Sequence, residues 1–135
     1  MKRREAREKA FQFLFQIDMN DHESVMEAYL AENKNDHFLR DLIEGVTKEK
    51  AAIDEWISKH LENWSLERLP AVERTALRLA TFEIKYMEDI PENVTINEAV
   101  EMGNIFGDEK SGKFINGVLS KMINQGGRMN DSGNY

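Results

Sequence analysis

Leu69-Pro70-Ala71-Val72-Glu73-Arg74-Thr75-Ala76-Leu77-Arg78-Leu79-Ala80-Thr81-Phe82-Glu83-Ile84-Lys85-Tyr86-Met87 is the stretch on which the fold turns. Proline keeps Leu69 out of helical geometry and pre-sets the turn that follows, so a helix is expected from about Ala71 to Met87. Val72, Ala76, Leu79, Ala80 and Ile84 recur at spacings of three and four and form its inner face. Glu73, Arg74, Arg78 and Lys85 are expected to point elsewhere. The next residues, Glu88 through Asn93 around Pro91, read as a loop.

Working outward from this helix, the same periodicity continues in both directions. Downstream, Thr95 followed by Glu98 has the spacing of a capping box, which predicts a helix from Ile96 to Phe106 with Gly107 in the terminating position. Asp108 can cap the last helix, whose stripe is Phe114, Ile115, Val118, Leu119 and Met122 before Gly126-Gly127. Upstream, Asn63-Trp64-Ser65 opens a brief segment ending at Leu69-Pro70. Phe38, Leu39, Leu42, Ile43, Val46, Ile53, Trp56, Ile57 and Leu61 trace one long stripe, with Gly45 marking close packing or a bend. Asn20 or Asp21 with Glu23 caps a short helix carrying Val25, Met26, Tyr29 and Leu30, closed by a turn at Asn33-Lys34-Asn35-Asp36. The first helix runs from Arg4 to about Met19 on Ala6, Ala10, Phe13, Leu14 and Ile17. Phe11 and Phe15 lie partly off that stripe and, four residues apart, would stack on one face. No β-alternation is visible, so the class is all-α, six or seven helices packed as bundles. Residues 1–125 are expected to form a single domain and 126–135 a flexible polar tail.

The totals agree. A chain of 135 residues with 41% hydrophobic and 32% charged residues has the balance of an ordinary soluble domain. Without cysteine there is no disulfide framework or thiolate nucleophile. No apolar run approaches a membrane span or a signal-peptide core, so a cytoplasmic location is expected. Asn63-Trp64-Ser65 and Asn93-Val94-Thr95 fit the glycosylation pattern and are read as chance.

Chemistry has little to build on. His22, His37 and His60 lack a second histidine at ligand spacing, and Gly103, Gly107, Gly112 and Gly117 are not placed as a phosphate cradle. No metal, no cofactor and no enzymatic activity are expected. Charge is more informative. The net charge is −7, yet residues 1–9 hold Lys2, Arg3, Arg4, Arg7 and Lys9 against Glu5 and Glu8, a basic end of +3 on a body of −10. Lys110 and Lys113 form a second basic element beside Phe114. Cations to hold a backbone and a ring to stack a base are what single-stranded RNA recognition uses. Phe114 is equally a member of the core stripe.

Three stretches together resemble the NusB family of bacterial transcription antitermination proteins: Arg3-Arg4-Glu5-Ala6-Arg7-Glu8-Lys9-Ala10, Val94-Thr95-Ile96-Asn97-Glu98-Ala99-Val100, and Lys113-Phe114-Ile115-Asn116-Gly117-Val118-Leu119. The resemblance implies two packed three-helix bundles and a non-enzymatic factor in transcription antitermination and ribosomal RNA processing. It would bind boxA RNA together with the ribosomal protein NusE within the RNA polymerase antitermination complex. By matching positions, Lys2, Arg3, Arg4 and Arg7 would meet RNA phosphates, Lys113 and Phe114 would line the base-contacting surface, and Phe15 and Glu73 would meet NusE. Two other classes compete: an RNA-binding helical domain related to ribosomal RNA methyltransferases, and a structural homodimer hiding the Phe11 and Phe15 face.

Overall fold

The computed structural model describes residues 1–20, 27, 29, 31 and 35–125. The expected cap at Asp21 and Glu23, the residues Val25, Met26 and Leu30, the start of the turn at Asn33 and Lys34, and the 126–135 tail lie outside the described residues. The elements described are α1 (Arg3–Asn20), α2 (His37–Lys48), α3 (Lys50–Ser58), α4 (Ala71–Tyr86), α5 (Glu92–Phe106) and α6 (Glu109–Gln125), with a 3-10 turn at Leu66–Arg68. The described residues contain no strand.

Helix α4 starts where Pro70 requires, and the Pro70 carbonyl accepts from Arg74 N–H at 3.0 Å. Leu77 and Leu79 are both fully buried although two residues apart, which puts apolar side chains on opposite faces of one helix. The reason is topological. Helices α5 and α6 pack on one side of α4, forming one three-helix bundle with it, while α1, α2 and α3 pack against its other sides. Every residue from Thr75 to Ile84 is therefore buried. This corrects the one-sided face drawn from periodicity: Glu73 and Arg78 are inside, and Arg78 is held there by carboxylates.

Two boundaries differ from expectation. The long stripe from Phe38 to Leu61 is broken at Glu49, whose backbone (φ −99, ψ 16) joins α2 to α3. Thr47-Lys48-Glu49-Lys50 supplies nothing apolar at the join. Gly45 lies off the break and marks close packing, because a Cβ there would run into the ring of Phe82 on α4. At the other boundary α5 begins at Glu92, directly after Pro91, so Thr95 is already inside the helix and its hydroxyl caps nothing. The expected ends at Gly107 and Asp108 are present: Gly107 N–H donates to Gly103 C=O at 2.9 Å, and Asp108 accepts from Ser111 N–H at 3.0 Å. No helix among the described residues is long and apolar enough to cross a membrane.

Candidate nucleic-acid and partner interface

The basic first turn of α1 lies along α5. Arg4 donates to both oxygens of Glu98, at 3.2 and 2.7 Å, and its side chain stays more than half exposed. Arg3 is likewise exposed, 3.8 Å from Asp89, with its guanidinium 4.7 Å above the ring of Phe38. Lys2 is exposed.

Arg7 is different, and its expected role as a phosphate contact is corrected. Its side chain is 4% exposed and its guanidinium bonds Glu83 twice, at 2.8 and 2.9 Å. The Thr95 hydroxyl also donates to Glu83, at 3.0 Å, and Glu98 stands 3.6 Å from Arg7. A buried cation so enclosed cannot reach a phosphate without leaving Glu83 uncompensated. Thr95 and Glu98, which read as a helix cap, instead complete this network. The hydrogen bond from Arg4 holds the Glu98 carboxyl below the usual range against the opposing effect of burial, with the charges of Arg4 and Arg7 adding to it.

A second, partly buried network ties α1 and α3 to α4. Asp18 accepts from Arg74 at 2.9 and 2.6 Å and from Arg78 at 3.0 Å, and Arg78 also donates twice to Asp54, at 2.8 and 3.0 Å. Burial would raise the Asp18 carboxyl, but the two guanidinium groups outweigh it and lower it.

On the far side of α5, helix α6 presents Lys110 and Lys113 to solvent, with Phe114 half-buried beside them. Lys113 makes a loose surface pair with Glu109 at 3.4 Å. Phe114 stands between two open cavities. One, about 360 Å³, is lined by His60, Trp64, Lys113, Phe114, Gly117 and Lys121 among others. The other, about 460 Å³, has Trp64, Val72, Glu73, Lys110 and Phe114 in its wall. Glu73 is 8% exposed, and its Oε2 has no hydrogen-bond partner.

Phe15 is half-buried and stacks on Phe11 with ring centroids 6.1 Å apart, as their spacing predicts; Phe11 stacks in turn on Phe106 at 4.6 Å. These rings line a further cavity of about 540 Å³ whose wall includes Val72. Val72 thus links the Phe15 cavity to the Glu73 cavity, and Phe114 and Trp64 carry the groove on to Lys113. The structure brings together Phe15, Glu73, Phe114 and Lys113. Arg3 and Arg4 belong to a separate cluster: from Glu98 to Gly107 is about 14 Å of helix axis.

Sequence reading missed Trp64, which it passed over inside a chance glycosylation pattern, and the internal role of Arg7. The second had a signal, because Arg7, Ala10 and Leu14 share the three-and-four spacing of the buried stripe. Among the described residues no group of three histidine or acidic side chains is placed to hold a metal.

The NusB family model matches residues 4–124. The chain is 58% identical to the transcription antitermination protein NusB of Oceanobacillus iheyensis over 125 residues, covering 91% of this chain and 99% of that protein. It is 53% identical to the protein of that name from Bacillus subtilis, over 90% and 95% of the two chains. Among solved structures it superposes on T. maritima NusB with a TM-score of 0.82 at 39% identity, over 92% of each chain. It also superposes, at a TM-score of 0.80 and 29% identity, on a chain in the crystal structure of the antitermination factors NusB and NusE in complex with dsRNA, over 91% and 96%. With the match running from the first turn of α1 into the last turn of α6, this chain belongs to the NusB family.

Proposed function

We propose that the protein is a transcription antitermination and ribosomal RNA-processing adaptor that binds boxA-type RNA together with NusE and presents it to the RNA polymerase antitermination complex. One observation carries the reading: Phe114 borders both the cavity of Lys113 and the cavity walled by Glu73 with its orphaned carboxylate oxygen, and Val72 is shared between the latter and the cavity of Phe15. A buried carboxylate oxygen without a donor favours a partner that brings one, and a basic ribosomal protein supplies such groups. The partly buried ring next to Lys113 suits an unpaired base with its phosphate. Lys2, Arg3 and Arg4 add a cationic site for the same strand farther along. The solved complex of NusB and NusE with dsRNA supports NusE and RNA as partners of this fold, and the preference for an unpaired strand rests on the ring of Phe114 alone.

A titration with boxA-like RNA, with and without NusE, tests the proposal. NusE is expected to tighten RNA binding, Phe114→Ala to weaken it roughly tenfold, and Glu73→Ala to weaken NusE binding while sparing RNA affinity in its absence. Unpaired RNA should outcompete the same sequence in a duplex. RNA affinity equal in the wild type and Phe114→Ala, or no binding in either arm, overturns the reading.

A further inference from the structure

We propose that Trp64 and the bare backbone at Gly117 form a second subsite for an unpaired RNA base beside Phe114. The inference rests on reading the Phe114 surface as RNA-binding and adds residues to it. Two independent observations carry it.

The first is Trp64. It is 57% exposed, a large ring left in water on the segment between α3 and the 3-10 turn. The other tryptophan, Trp56, is half-buried, with the Lys85 ammonium 4.9 Å above its ring. Trp64 lines both cavities that flank Phe114, and among the described residues no aromatic ring stacks on it. An amphipathic ring in this position suits a flat ligand.

The second is Gly117. Glycine inside a helix is disfavoured against alanine unless something needs the missing side chain. At Gly45, Gly103 and Gly112 the chain itself needs it, since a Cβ would collide with Phe82, Ile115 and Asn104. At Gly117 a Cβ would meet nothing within 4 Å. Gly117 nevertheless lines the cavity between Trp64 and Phe114. The protein has no internal use for that space, and close approach of a ligand to the helix backbone supplies one.

Charge selects the ligand. The rim carries Lys113, exposed, and Lys121, whose ammonium is 2.6 Å from the exposed carboxylate of Glu62. A surface pair of this kind is weak and exchanges readily for a phosphate. Two aromatic surfaces, an uncovered stretch of helix and two cations match a base with its phosphate better than an apolar peptide segment.

The test uses the full chain and an unpaired boxA-like RNA. In a Trp56→Phe background Trp64 is the only indole, and its fluorescence is expected to change as RNA is added. Trp64→Ala should weaken binding roughly tenfold, with Trp64→Phe recovering most of the loss. Gly117→Ala replaces no aromatic residue and should raise the melting temperature while weakening RNA binding severalfold, a combination that simple structural damage does not give. If Trp64→Ala and Gly117→Ala bind RNA as the wild type does while Phe114→Ala does not, the subsite is rejected and the RNA reading of Phe114 stands. If Phe114→Ala also binds normally, both are rejected. A Trp64 signal that responds to NusE alone and not to RNA rejects the subsite in favour of a protein contact.

Discussion

The two faces that border α5 hold similar side chains in opposite states. Along the α1–α5 seam, Arg3, Arg4 and Arg7 meet Asp89, Glu98 and Glu83, and the ring of Phe38 lies under two of the guanidinium groups. On the α6 side, Lys113 and Lys121 have only exposed partners, and Phe114 and Trp64 border open cavities. The difference teaches that a count of cations is not a count of available cations. Arg4 and Arg7, one helical turn apart, divide on burial: the first stands open to solvent beside Glu98, and the second is enclosed with Glu83.

The largest expected effect breaks the seam at its buried member. Removing one partner of a buried ion pair typically costs about 3–5 kcal/mol, because the other charge stays behind uncompensated. Arg7→Ala should lower stability by about that amount, read as a fall of roughly 10 °C or more in thermal melts followed by circular dichroism. Arg3→Ala should lie within about 0.5 kcal/mol of the wild type. Arg7→Leu combined with Glu83→Gln should recover part of the loss, since the amide oxygen still accepts from Thr95. Equal melting temperatures for Arg7→Ala and Arg3→Ala would erase the distinction between the two arginines.

The all-α class, the start of α4 at Pro70, the end of α5 at Gly107 and the start of α6 at Asp108 were legible because they are local: proline geometry, glycine at a helix end, an aspartate three residues before a free amide. What the sequence hid is non-local. Thr95 and Glu98 have capping-box spacing, but Pro91 starts the helix earlier and both side chains face α1 and α4. Arg78 reads as solvent-facing on a helical wheel, and only the arrival of Asp18 and Asp54 from two other helices lets it be buried. In the candidate site, Phe114 was visible as a ring beside lysines. Its neighbour Trp64 was not, because a loop tryptophan has no periodicity and its relation to α6 exists only after folding.

The second effect concerns the exposed part of the seam. If Lys2, Arg3 and Arg4 hold phosphates, the combined change Arg3→Ala and Arg4→Ala should leave the melting temperature nearly unchanged. It should weaken RNA binding roughly tenfold and flatten the dependence of log affinity on log salt by about 1 for each phosphate no longer held. An unchanged salt slope would place the RNA wholly on the Trp64–Phe114 face and sharpen the contrast further.

Acid should act on the other, partly buried network. The Asp18 carboxyl is lowered in the folded protein, so its contribution is present above the unfolded value of about 4 and is lost as pH falls through the lower folded value. Melting temperatures should be flat from pH 7 to about 5 and fall below about 4, with the fall reduced in Asp18→Asn. That variant starts from lower stability at pH 7, because Arg74 and Arg78 lose their shared charge. An acid profile identical in the wild type and Asp18→Asn would remove the carboxylate from the balance.

The smallest effect decides whether Glu98 competes with RNA. Glu98 occupies Arg4 with the two oxygens a phosphate would offer, so an RNA strand reaching Arg4 must first displace it. Glu98→Gln keeps the shape and one acceptor but removes the charge. Arg4 then loses its strongest partner while Arg7 keeps Glu83, so the folded structure should hold. Because exposed ion pairs are worth about 0–1 kcal/mol, the gain in RNA affinity should be no more than about fivefold. It should vanish in an Arg4→Ala background, where there is no competition left to relieve. A gain that persists without Arg4 would mean that Glu98 repels the strand through the general field of α5, and the exchange between carboxylate and phosphate at the seam would be excluded.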